Sequence, residues 1–227
     1  MKYDNKYKIA LAINLIIVIL VVLSLFLLYF GISFMEGPDI SKGIEGNEIF
    51  HYFTIDSNIF MAIMSLIFAI DEIKIIQGKI KQINYKKYIA KLISTATVAL
   101  TLLTVFLYLG PTTEGGLKAN LMNGNLFLHL FVPILSVIVF IFFEKTDKIP
   151  FKYTFLGLTP MMIYGLYYIP NLIIHSNNGK VVSTYDFYHY FQNGPVIAII
   201  TGTIQFIVLY GLTYLLWKLN KKKKLNI

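Results

Sequence analysis

Apolar residues along this chain collect into six runs, near 9–33, 50–73, 88–110, 124–143, 153–175 and 195–217, separated by short polar stretches. At about 1.5 Å of rise per residue, each run is long enough to cross roughly 30 Å of hydrocarbon as a helix. The pattern predicts an all-α fold: a polytopic membrane bundle of six transmembrane helices, forming one domain over residues 1–227. The fifth run contains Pro160 and Pro170, which a membrane helix accommodates only where neighbouring groups satisfy the freed carbonyls. The stretch from Lys2 to Lys8 ahead of the first run has the look of a signal peptide. However, the apolar segment from Ile9 to Phe34 is far longer than a signal core and no small-x-small site follows it, so a retained first helix is expected.

Within the runs, polar residues recur at helical spacing and mark inward-facing stripes. The second run carries His51, Thr54, Asn58, Met61 and Ser65 on one face with Ser57 beside them, and the fourth carries Asn125, His129, Pro133 and Ser136. The third offers Thr97, Thr101, Thr104 and Tyr108, the fifth Tyr164, Tyr168, Asn171 and His175, and the sixth Thr201, Thr203 and Gln205. The expected interior is therefore polar and becomes richer toward one end.

Composition reinforces the membrane reading and charge orients it. The chain is 56% hydrophobic and 14% charged, against about 25% charged for an ordinary soluble domain. All of its 20 basic residues are lysines, a bias that looks like an AT-rich bacterial genome. Three lie in the N-terminal tail, six between Lys74 and Lys91, three between Lys145 and Lys152, and five from Lys218 onward; the opposite side holds only Lys42, Lys118 and Lys180. By the positive-inside rule both termini are expected in the cytoplasm of a multi-pass cell-membrane protein. The net charge of +8 is then explained by topology and not by nucleic acid. The closing Lys221–Lys224 run reads as a topology anchor, with contact to anionic headgroups as the other possibility. The absence of cysteine excludes disulfides, thiol nucleophiles and thiolate metal sites.

Counted from the starts of their runs, Thr54 and His129 lie roughly 6 and 7.5 Å inward from the same surface, so a hydroxyl and an imidazole share one level. A threonine oxygen becomes a competent nucleophile when a neighbouring base takes its proton, and neutral histidine is the usual base. Such a pair suits acyl transfer. Asn58, one turn deeper than Thr54, would donate its amide N–H to the developing oxyanion, with Tyr168 or Tyr188 as further donors. The plainer reading is that membrane threonines bond back to their own helix and that histidines join helices; Thr97, Thr101 and Thr104 fit it best.

The segments HYFTIDSN (His51–Asn58) and NLFLHLFVPIL (Asn125–Leu135) resemble the paired signatures of the androgen-induced-protein family of membrane threonine hydrolases, which includes the androgen-dependent TFPI-regulating protein and bacterial relatives. STYDFYHYFQNGP (Ser183–Pro195) resembles the aromatic stretch ahead of that family's last helix, although the prolines common there are absent. Characterised members cleave fatty acid esters of hydroxy fatty acids. The resemblance implies Thr54 as nucleophile and His129 as its base, with a lipid drawn from the bilayer as substrate and no cofactor. His51, Ser57, Asn125, Tyr168 and Tyr188 are the expected substrate-binding residues, and an apolar groove should reach Thr54 from the lipid.

Three other readings stay open. His51, His129, His175 and His189, with Asp56 and Asp186, would permit a zinc-dependent hydrolase, although no pair has the i, i+4 spacing of a helical ligand motif. A small-solute carrier or channel would also need a polar interior. A scaffold subunit would use the same stripes only to pair helices.

Overall fold

The structure is a computed structural model that describes residues 2–177, 180–181, 185–188, 190–191 and 194–221, with backbone alone at 2–4, 177 and 180–181. His189 and Lys222–Lys224 therefore lie outside the described residues. The fold is all-helical apart from a two-residue antiparallel pairing of Ser176–Asn177 with Lys180–Val181. Among the described residues there are six long helical segments, at the positions of the six apolar runs. They are α1 (Lys2–Tyr29), α2 (Phe53–Ile76), α3 (Tyr85–Thr112), α4 (Asn123–Phe143), α5 (Thr159–Ile174) and α6 (Pro195–Asn220). Four are long and apolar enough to cross a membrane: α1 from Asn5 onward, α3, α4 and α6. The fifth is 16 residues as an α-helix, extended at its start by a 3₁₀ segment, Phe151–Leu158.

Local chemistry sets the helix ends and irregularities. The Asn84 side chain caps α3 by accepting the Lys86 N–H at 3.0 Å. Pro160 and Pro195 occupy first-turn positions, where the missing N–H costs nothing. Pro111 and Pro133 lie inside longer helical paths, and a proline ring clashes with the carbonyl four residues back. In both cases the preceding turn widens to π geometry, at Val105–Leu109 and Phe127–Phe131. His129, four residues before Pro133, sits in the second of these wide turns.

In the packing, α3 is the most buried of the four apolar helices and contacts α2, α4 and α6, whereas α6 is the least buried. One core joins Phe68, Leu92, Phe140 and Leu209 across α2, α3, α4 and α6. A second joins Ile17, Val21, Met61, Leu128 and Val132 across α1, α2 and α4. Gly124 lets α1 and α4 meet closely: a Cβ there would stand 2.8 Å from Leu28 Cγ, and Ser24 Oγ donates to the Gly124 carbonyl at 2.6 Å.

Apolar contact between helices gains little over contact with lipid, so tight packing and internal polar bonds carry the specificity of such a bundle. The densest polar cluster lies at the end remote from His129. Lys91 of α3 is fully buried and donates to Asn14 Oδ1 at 2.7 Å and Ser65 Oγ at 2.9 Å, with Glu144 at 3.7 Å. Asn14 in turn donates to Glu72 at 3.1 Å and Glu144 at 2.8 Å. Asn220 of α6 closes the ring by donating to the carbonyls of Phe140 and Glu144, at 2.6 and 3.0 Å. Lys91, counted by sequence among the loop lysines that orient the chain, is thus a core residue.

Truncating one partner of a buried ionic cluster strands the others. Lys91→Ala is expected to cost about 3–5 kcal/mol, read as a fall in the melting temperature of the detergent-solubilised protein. Lys87→Ala, which breaks a 2.6 Å pair with Asp71 at a partly exposed site, is expected to cost under about 1 kcal/mol.

Candidate functional site

The candidate site is built where α4 begins. Asn123, in the left-handed backbone region, accepts the N–H groups of Phe34 and Met35 at 2.8 Å each and donates to Asp39 at 2.6 Å. This clips the loop after α1 against the start of α4. The short helix Gly116–Asn120 brings the Asn120 carbonyl within 2.7 Å of His129 Nδ1. A carbonyl oxygen can only accept, so Nδ1 carries the proton and Nε2 presents a lone pair. The imidazole is buried and locked as the tautomer a general base requires.

Thr54 stands in the first turn of α2, half-buried. Its carbonyl accepts from Ser57 Oγ at 2.9 Å and from Asn58 Nδ2 at 2.8 Å. Asn58 also donates to the Leu128 carbonyl at 3.4 Å. Both amide hydrogens are then engaged, and Asn58 and Ser57 lie outside the cavities described below. The oxyanion role expected of Asn58 and the substrate contact expected of Ser57 therefore give way to structural ones: the first fastens α2 to α4 and the second closes a helix turn. Thr97 and Thr101 bond back to Ile93 and Val98, both at 2.7 Å, as packing residues do.

Of the stretch between α5 and α6, residues 185–188 and 190–191 fold back over this region through Asp186, which is buried. Its carboxylate accepts the Tyr168 hydroxyl and the N–H groups of Tyr190 and Phe191, the latter two at 3.1 and 2.8 Å. An aromatic cluster of Tyr164, Tyr168, Phe187 and Tyr188 completes the fold-back. Tyr188 is thereby set beside Thr54. Burial raises its phenol above the ordinary tyrosine pKa, and the neighbouring Thr54 hydroxyl and backbone offset part of that rise. His51 is spent on the same scaffold: its ring bonds the Tyr167 hydroxyl and stacks on Phe187, and its carbonyl accepts from Tyr164 at 2.8 Å.

Two cavities meet at Thr54 and Tyr188, which line both. The larger, about 590 Å³, is also lined by His129, Asn120, Asn125 and Tyr108, so Thr54 and His129 face a common space. The smaller, about 300 Å³, runs among α3, α5 and α6 past Thr101, Thr104 and Tyr168. It is largely apolar and ends between Ile169 and Ile199, both strongly exposed on the outside of the bundle. Beside the larger cavity the Asn125 amide nitrogen and the Asn120 side-chain oxygen are buried without partners, as are Asn58 Oδ1 and Glu144 Oε2 elsewhere in the bundle.

The described histidines do not converge. His51 is with Tyr167, His129 with Asn120, and His175 stacks on Tyr185. Among the described residues no group of three His, Asp or Glu is close enough to hold a metal ion. Asn120 escapes sequence reasoning, because it acts through a carbonyl that any residue would supply. Asp186 reads in the sequence only as a candidate zinc ligand, and its role in holding the fold-back leaves no signal there.

Asp186→Ala should release the fold-back segment. Losing its three bonds is expected to cost about 3 kcal/mol or more, and to speed amide hydrogen exchange at residues 185–191 on the order of 100-fold while leaving α2 and α4 unchanged. No family model, curated protein or solved structure matches this chain.

Proposed function

We propose that this chain is a six-span membrane protein with both termini in the cytoplasm, and that it hydrolyses lipid esters at an extracytoplasmic-end site, with Thr54 as nucleophile and His129 as base. The observation that carries the reading is the common cavity lined by Thr54 and by an imidazole whose Nδ1 is already committed to a carbonyl. The neighbouring Tyr188 hydroxyl and the resemblance of the two motif segments support it further.

In the proposed sequence the Thr54 oxygen attacks the ester carbonyl carbon and its proton passes to His129 Nε2. The Tyr188 hydroxyl donates to the oxyanion, taking the role that the engaged Asn58 leaves vacant. Collapse expels the alcohol, which leaves with the proton from His129, and the acyl group remains on Thr54. Water then gives a proton to His129 and attacks the acyl carbon. The acid departs as that proton returns to the Thr54 oxygen.

Thr54→Ala and His129→Ala are each expected to lower ester turnover by at least about 100-fold and to abolish labelling by a fluorophosphonate probe in intact membranes. Equal labelling of the wild type and both variants would remove the covalent role. Orientation has a separate test, because the chain contains no cysteine. A single cysteine at exposed Lys42 should react with an impermeant maleimide added outside whole cells. One at exposed Lys79 should react only after permeabilisation. The reverse pattern would invert the topology.

A further inference from the structure

The two cavities that meet at Thr54 are not equivalent, because only one of them holds the imidazole; on the hydrolase reading, this fixes which half of an ester lies where. The smaller cavity is a cleft between α5 and α6. Both helices rest on the Phe151–Leu158 segment, α6 so closely that a Cβ at Gly157 would stand 2.2 Å from Thr213 Oγ1. Beyond that joint α5 and α6 scarcely approach each other. Gly165 and Gly202 line the gap from opposite helices, and a Cβ on either would meet no described atom within 4 Å. Polar side chains along the cleft are already engaged: Thr101 donates to the Val98 carbonyl at 2.7 Å, Thr203 to that of Ile199 at 2.8 Å and Gln205 to the Tyr190 hydroxyl. The surface left to the cleft is almost entirely hydrocarbon, and it opens between exposed Ile169 and Ile199 on the outside of the bundle.

The larger cavity differs in two respects. His129 lines it and does not line the cleft, and it extends past Ile44 to Ser41 and exposed Glu114 in the loops at this end of the bundle. When the tetrahedral intermediate collapses, the bond from the carbonyl carbon to the alcohol oxygen breaks as His129 Nε2 delivers its proton to that oxygen. The leaving oxygen must therefore stand on the His129 side of Thr54. The acyl chain, attached to the same carbon on its other side, has the cleft. We infer that the ester binds in one orientation, with its acyl chain in the α5–α6 cleft and its alcohol half in the larger cavity, and that Gly165 and Gly202 set the acyl bulk admitted. The deacylating water must also reach His129, and the cavity that the alcohol has vacated leads to the loops, whereas the cleft leads to lipid. The freed acid returns to the bilayer by the path along which its chain entered.

The test uses the full-length protein in phosphatidylcholine vesicles and two isomeric esters, butyl hexadecanoate and hexadecyl butanoate. They carry the same long chain on opposite sides of the carbonyl and share one composition, so membrane partitioning does not separate them. Gly202→Leu is expected to lower kcat/KM for butyl hexadecanoate about tenfold more than for hexadecyl butanoate, and Gly165→Leu to do the same from the facing helix. Ile44→Trp, in the larger cavity, is expected to move the ratio of the two isomers about tenfold the other way. Because the readout is a ratio, a general loss of folded protein does not imitate it. The orientation stands only if the glycine variants and Ile44→Trp shift the ratio in these opposite directions. A ratio that stays fixed, shifts one way in all three variants or shifts in reverse would overturn the inference and leave the hydrolase reading intact. Cleavage of a short p-nitrophenyl ester but of neither isomer would do the same, since the cleft would then take no acyl chain. If the wild type cleaves none of the three esters, the hydrolase reading fails and the inference with it.

Discussion

Lys91 keeps its place in the centre of an apolar bundle only because Asn14, Ser65 and Glu144 come to its ammonium from three other helical segments. In water these groups would be solvated wherever they went; away from water they must find each other. That requirement fixes the angular position of α1, α2, α3 and the end of α4 more tightly than apolar packing, which lipid would satisfy nearly as well. Asn220 extends the same tie to α6 through carbonyls left open at the end of α4. The helices are thus clamped at one end.

At the opposite end the α1 loop, the start of α4 and the aromatic fold-back are held by their own bonds to Asn123 and Asp186. Thr54, Tyr188 and His129 line one cavity between these supports. In the proposed hydrolase the clamp at one end serves the site at the other, because preorganised groups act on a substrate only if their supports do not move.

The helices were legible in the sequence, because long apolar runs leave few other solutions, and four of them are helices long and apolar enough to cross a membrane; the common level of Thr54 and His129 is an expectation from counting residues from one surface. What the sequence could not carry were contacts between distant segments. Asn58 has the right spacing for an oxyanion donor, yet spacing is silent on whether an amide will be taken by a carbonyl four residues back and by one on the next helix. Lys91 sits beside loop lysines in sequence and reads as one of them, although one helical turn past Lys87 carries it into the core. The tautomer of His129 depends on a backbone carbonyl, and no residue identity records that. Pro133 reads in the sequence only as a position on the polar face of the fourth run, and not as the companion of the wide turn that holds His129.

The central claim is that the oxygen of Thr54 becomes covalently acylated during turnover. Peptide mass spectrometry of the membrane-embedded protein, acid-quenched while cleaving a short-chain p-nitrophenyl ester, measures this directly. The expected result is an acyl adduct on the peptide containing Thr54 that disappears once substrate is exhausted. Turnover that proceeds with the acyl group on another residue, or with no adduct at any time, would contradict the account.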